Sequence, residues 1–215
     1  MDKQAAIVEA QRLLAHARSA TAKGGLNIAP TEKDRARFNQ KMATVEWTQF
    51  VQRADYHYFV GRILLSQNIH LYGLFCAHQC VENYLKAYRA FCTAKPLTIH
   101  ELIKLLQESR SVTADTTSFI HSADAETICE KFGPFYEIGR YPVQITRPKD
   151  GKYVAMPKVD QLVLDYFVNR MRNLLTLPPG SWDLLSPQGH VDLHMVKELH
   201  PDFYAMFSEG NLNCV

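Results

Sequence analysis

From residue 47 to about residue 175, apolar side chains recur at intervals of three and four, the spacing of helices that bury one side. Trp47, Phe50, Val51, Ala54, Tyr58, Gly61 and Leu65 make one such stripe. At about 100° per residue, Leu74, Ala77, Val81, Tyr84 and Tyr88 make a second, and Gln79, Glu82, Asn83 and Lys86 fall opposite it. The spacing predicts two helices, the first beginning at Trp47. The second is expected to bury its apolar side and to offer a carboxylate, two amides and an amine on the other. Glu82 and Lys86 stand four apart in the favourable order, but an exposed pair of that kind contributes only about 0.2–0.5 kcal/mol. Pairing alone does not account for the polar stripe.

Breakers divide the rest. Pro96 separates the second helix from the next, where Thr98-x-x-Glu101 reads as a capping box and Ile99, Leu102, Ile103 and Leu106 supply an apolar side. A fourth helix is expected within 116–132. Gly133-Pro134 and Tyr141-Pro142 mark irregular backbone, which places Tyr136 and Arg140 in a turn region. Between Val143 and Met156, Pro148 and Asp150-Gly151 suggest a short exposed loop or hairpin. Pro157 then fits the first turn of the next helix, with Val159, Leu162, Val163, Tyr166, Phe167 and Leu174 as its core face. Leu177-Pro178-Pro179-Gly180 ends that helix, and the tail carries one short helix around 193–199. Upstream, strong helix formers over 3–22 predict an extra helix stopped by Gly24-Gly25, and a polar connector over 26–41 follows. The organisation read from this pattern is all-α, with an N-terminal helix and linker over 1–45, a helical domain over 46–177 and a C-terminal extension over 178–215.

Composition narrows the function classes. With 215 residues and 47% hydrophobic content, one domain with extensions buries a substantial core. A net charge of +2 announces no broad nucleic-acid footprint, although it leaves room for a local basic patch. The cysteines, Cys76, Cys80, Cys92, Cys129 and Cys214, are odd in number and lack C-x-x-C spacing, which fits free thiols in a reducing cytoplasm. No run approaches the ~18 apolar residues of a membrane span, and the N-terminus lacks a signal-peptide core, so a soluble intracellular protein is expected.

Three fragments join into a longer pattern: Ala77-x-Gln79-x-x-Glu82-x-x-Leu85-Lys86-Ala87, His100-Glu101-Leu102 and Arg140-Tyr141-Pro142. In order and spacing they resemble the HEPN family over roughly 47–175. The resemblance implies an antiparallel up-and-down helical bundle whose first, second and last family helices would be 47–68, 71–91 and 158–175, here with an extra N-terminal helix and a C-terminal helical tail. The ribonuclease group of that family carries Arg followed by His with four to six residues between. Here Arg12 and His16, and Arg53 and His57, have three between them; Arg62 and His70 have seven; Arg89 and His100 have ten. The last family helix offers Arg170 and Arg172 without a histidine, so the general acid or base of metal-independent RNA cleavage is missing unless His78 or His100 replaces it.

The resemblance points instead to a noncatalytic nucleotide- or nucleic-acid-binding module. It would act as a homodimer, or as the partner of a small nucleotidyltransferase in a toxin–antitoxin or defence system. Lys86, Arg140 and His100 would meet phosphates, Tyr136 and Tyr141 would stack on a base, and Gln79 and Asn83 would read polar ring edges. Glu82 suits a phosphate site only by orienting a cation. The candidate ligand set is therefore Gln79, Glu82, Lys86, His100, Tyr136, Arg140 and Tyr141. In a competing structural reading, Arg140 bridges Glu82 and a carbonyl, and His100 is an inward-bonded residue at a helix start. A divergent RNA endonuclease and a protein-interaction scaffold are the alternative functions. Tyr72 and Phe75 form an aromatic patch suited to a dimer surface. His190, His194, Glu198 and His200 lack the H-E-x-x-H pattern, and Cys76 and Cys80 lack a second pair; no metal site and no cofactor is expected.

Overall fold

The computed structural model describes residues 47–95, 97–140, 156–179, 181, 183–185 and 191–214, without the side chains of 138–140, 191, 192, 194 and 195. The helix expected over 3–22, its linker, the expected loop up to Ala155, Tyr141 and His190 lie outside these residues. Among the described residues all regular structure is helical: α1 (Trp47–Ser66), α2 (His70–Thr93), α3 (Leu102–Arg110), a 3-10 turn (Phe119–His121), α4 (Ala123–Phe132), α5 (Phe135–Arg140), α6 (Pro157–Leu174), α7 (Val191–Leu199) and α8 (Pro201–Ser208).

Helices α1 and α2 form an antiparallel hairpin. Trp47 meets Phe91 with ring centroids 5.1 Å apart, and the Tyr84 hydroxyl donates to Asp55. A Cβ on Gly61 would stand 3.0 Å from that of Cys76, and one on Gly73 would stand 2.9 Å from the Leu65 side chain. Residue numbers fall along one helix as they rise along the other. The two glycines allow close approach near the turn, which Asn68 closes at φ 59°, a conformation asparagine tolerates better than most residues. The predicted stripes of both helices are buried, apart from half-buried Trp47.

Four sequence expectations fail, each for a physical reason. The polar stripe of α2 is not offered to solvent: Glu82, Asn83 and Lys86 are buried, because α2 is packed by α1, α3, α4, α5 and α6. The capping box does not form; Glu101 is the cap residue, makes no side-chain cap bond, and instead receives Lys104 Nζ at 2.9 Å. Residues 135–140, read as a turn, are helical, since proline just ahead of a first turn loses no needed N–H and presets φ. The core face of α6 is also displaced. Leu164, Phe167, Val168 and Met171 are buried with Asp160 and Asp165, whereas Val159, Leu162 and Tyr166 are exposed. Charged partners set that rotation: Lys131 lies 2.5 Å from Asp160, and Arg62 pairs with Asp165.

The Arg62 pair ties the C-terminal extension to the bundle. Arg62 Nε donates to Asp165 Oδ1 at 2.9 Å, Nη1 donates to the carbonyls of Met206 (3.0 Å) and Phe207, and Nη2 donates to that of Glu209 (2.7 Å). A buried guanidinium thus caps the C-terminus of α8, where the helix dipole favours a cation. Phe207 packs beside Tyr58 and Phe59, at 5.5 and 4.7 Å between centroids. The Tyr58 hydroxyl lies 2.7 Å from Asp165 Oδ1 and 2.6 Å from Asn211 Oδ1, and accepts from Asn213 Nδ2 at 3.0 Å. A second buried cluster joins Asp55, Tyr84, Arg172 and Asp183. Arg172 Nη1 lies 3.5 Å from Asp55, and its Nη2 pairs with Asp183. Burial pushes the Asp55 carboxyl up to about 7, against the pull of Arg172 and Tyr84.

Candidate functional site

A helical residue lies almost above the one seven positions before it, so α2 sets Gln79, Glu82 and Lys86 along one strip, with His78 one turn before Glu82. Glu82 is the hub. Its Oε1 accepts from Lys86 Nζ at 2.7 Å and from His100 Nδ1 at 2.9 Å. Its Oε2 faces Gln79 Nε2 at 3.4 Å and His78 Nε2 at 3.3 Å, the latter without hydrogen-bond alignment. The other nitrogen of His78 donates to the Phe132 carbonyl at 3.1 Å, which fixes the ring against the last turn of α4. Asn83 turns back on its own helix and donates to the Gln79 carbonyl at 2.7 Å, so its amide is not presented outward.

Burial alone would raise the Glu82 carboxyl. The His78 contact, the Lys86 ammonium and its hydrogen bond, and the charge of His100 outweigh burial and bring it down to about 2. Glu82 is therefore an ionised acceptor across the physiological range. The Glu82 charge also reaches His57 on α1, although burial and Arg53 hold that imidazole below its ordinary range.

His100 precedes α3 and is the outer member of the cluster: its side chain is 50% exposed, whereas that of Glu82 is 4% exposed. A carboxylate only accepts, so His100 Nδ1 carries the donated proton and Nε2 is its remaining nitrogen. Tyr136, from α5, stacks on the His100 ring at 5.0 Å and 16°, and leans on His78 at 5.3 Å and 39°. The cluster thus joins α2, the turn before α3, α4 and α5.

The structure brings together Gln79, Glu82, Lys86, His100 and Tyr136 from the candidate ligand set. Arg140 is the last residue of α5 with its side chain undescribed, and Tyr141 is outside the described residues. The bridge to Glu82 assigned to Arg140 in the structural reading is made by Lys86 and His100 among the described residues. The candidate ligand set lacks His78, which joins the cluster and whose spacing of four from Glu82 is the sequence signal for it. On the last family helix, Arg172 is engaged with Asp55 and Asp183, and Arg170 lies over the Phe119 ring at 5.6 Å. Among the described residues no group of three or more His, Cys, Asp or Glu is arranged to hold a metal ion.

The family model described as the HEPN domain matches residues 47–177. The chain belongs to the HEPN family. Comparison with curated proteins and with solved structures found no match. HEPN membership places the chain among nucleotide- and RNA-related helical modules. The matched HEPN segment contains the whole Glu82 cluster and ends before α7 and α8, so the Arg62 network fastens a segment from beyond the match onto helices within it. No described helix is long and apolar enough to cross a membrane.

Proposed function

We propose that this HEPN domain is a noncatalytic nucleotide- or nucleic-acid-binding module whose contact edge is the His100 end of the Glu82 cluster. The observation that carries the reading is the half-exposed His100 ring, held by an ionised carboxylate and stacked on Tyr136. A protonated imidazole in that setting donates Nε2–H to a phosphate, and its outer face extends an existing aromatic stack toward a base. Gln79, half-buried at the same edge, offers its amide; Arg140, which ends α5, and Tyr141, next in the chain, are the remaining members of the proposed set. Lys86 serves by neutralising Glu82 rather than by reaching the ligand, because its ammonium is already bound and buried.

The endonuclease alternative is weaker. It lacks the Arg-to-His spacing, and Arg170 and Arg172 are committed to Phe119 and to Asp55 with Asp183. In the binding reading the cytoplasmic protein works as a homodimer or as partner of a small nucleotidyltransferase in a toxin–antitoxin or defence system. Tyr72, exposed beside half-buried Phe75, supports a pairing surface.

Thermal unfolding against a panel of nucleotides and short RNAs tests the binding claim. A ligand at one hundred times its Kd adds about 2.7 kcal/mol of apparent stability. A shift in the wild type that disappears in a folded His100→Ala protein is the expected result. An equal shift in both proteins, or none with any ligand, overturns the site.

A further inference from the structure

Going beyond ligand binding, the same histidine has the geometry of a nucleophile. Histidine forms covalent intermediates when one ring nitrogen is oriented by a partner and the other is accessible. Here the partner is Glu82, ionised and buried, accepting from Nδ1 at 2.9 Å. The charged ring that donates Nε2–H to a phosphate has no lone pair to attack with; the neutral ring, its one proton on Nδ1 toward Glu82, keeps the Nε2 lone pair and is the form that reacts. The ring is half-exposed, and its stack on Tyr136 holds one orientation. Lys86, 2.7 Å from the same carboxylate oxygen, offsets the charge of Glu82, so an approaching anion does not meet an unneutralised carboxylate. His78 sits on the same carboxylate but is buried, so the cluster has one accessible imidazole.

We propose that His100 Nε2 is a phosphoryl acceptor, taking the terminal phosphoryl group of a phosphoanhydride. The Nε2 lone pair forms the new N–P bond while the P–O bond to the leaving group breaks, and that oxygen departs with the bonding pair. The Nδ1 proton stays in its hydrogen bond to Glu82, which stabilises the positive ring formed on attack, as a carboxylate does behind other reacting histidines. Nothing is oxidised or reduced. Glu82 acts here as a positioning residue and His100 as the reacting group.

Phosphoramidate is a probe that transfers its phosphoryl group with loss of ammonia and requires no nucleotide site, so its outcome is separate from the binding reading. The intact wild-type protein would be incubated with it, with site-resolved rates measured by mass spectrometry and the ring position of the phosphoryl group by phosphorus NMR. His200, exposed and set against Phe203, is the internal reference. The expected result is Nε2-linked phosphohistidine at His100, formed roughly tenfold faster than at His200, the advantage of a charge-assisted hydrogen bond. A His100 rate equal to or below that of His200, or an Nδ1-linked product, overturns the proposal. In a Glu82→Gln protein shown to be folded by circular dichroism, the His100 rate falls roughly tenfold because the amide accepts the proton without the charge. An unchanged rate removes Glu82 from the proposal.

Discussion

Around Arg62 the charged atoms are enclosed. The guanidinium is divided between Asp165 and the last carbonyls of α8, and both ionic side chains are at most 2% exposed. Around Glu82 the carboxylate is as deeply placed, yet one of its partners, His100, reaches half into solvent. Both clusters hold charge away from water, where an unpaired ion is costly. The closed one contributes to architecture, fixing a tail helix to α1 and α6. The open one leaves an oriented imidazole half-exposed at the surface. The difference teaches that burial of charge does not by itself separate a scaffold from a surface: the enclosed network presents no charged group to solvent, whereas the other presents one half-exposed imidazole.

The comparison breaks most visibly at the closed cluster. Arg62→Ala should cost about 3–5 kcal/mol in urea unfolding, because Asp165 is left buried without its cation and α8 loses its cap. Replacing Arg62 and Asp165 together by leucine should restore much of that loss; a double variant no more stable than the single one would show that the pair is not the cause.

Two carboxyls sharpen the contrast through pH. Asp55 is raised from its ordinary 3.8 to about 7, so its contribution is fully present below pH 3.8 and is lost as pH rises to about 7. The loss is up to about 4 kcal/mol, and Asp55→Asn should flatten it in unfolding curves recorded across that window. Glu82 runs in the opposite sense. Lowered from 4.5 to about 2, it contributes above pH 4.5 and loses that contribution as pH falls toward 2. Glu82→Gln should remove about 3 kcal/mol at neutral pH and little at pH 2. A uniform loss at both pH values would mean packing rather than charge.

Much of the bundle is legible in the chain. The stripes of α1 and α2 lie where three-and-four spacing puts them, because apolar burial there is decided locally. The Glu82–Lys86 pair is legible from its spacing of four, but the other charge pairs are not, because their partners are remote in sequence: His100 is 18 residues from Glu82, and Asp165 is 103 from Arg62. For that reason periodicity alone turns the α2 polar stripe toward solvent and gives α6 a face of Val159, Leu162, Val163, Tyr166, Phe167 and Leu174, without the buried Asp160 and Asp165. A signal was present at Arg62, which stands between Tyr58 and Leu65 inside a buried stripe, where a charge requires a hidden partner. Helix α5 was obscured by Gly133-Pro134, which reads as a stop but serves as a start. Helix α8, absent from the sequence reading, is only 8 residues long and is held by Phe207 and Arg62 rather than by its own propensity.

The smallest stability effect is expected at the open end. His100→Ala should cost less than about 1 kcal/mol, the ordinary range for a pair with an exposed member. A loss as large as that of Arg62→Ala would make His100 a structural residue and erase the distinction between the two clusters.

The central claim is that the accessible nitrogen of His100 is where this HEPN domain meets its ligand. Nitrogen–proton spectra of the histidine rings, recorded while nucleotides or short RNAs are added, test it most directly. The account predicts that the His100 Nε2 resonance moves with saturation while the buried His78 ring keeps its Nδ1 donor bond. A ligand that saturates the protein and leaves His100 Nε2 unmoved would contradict it.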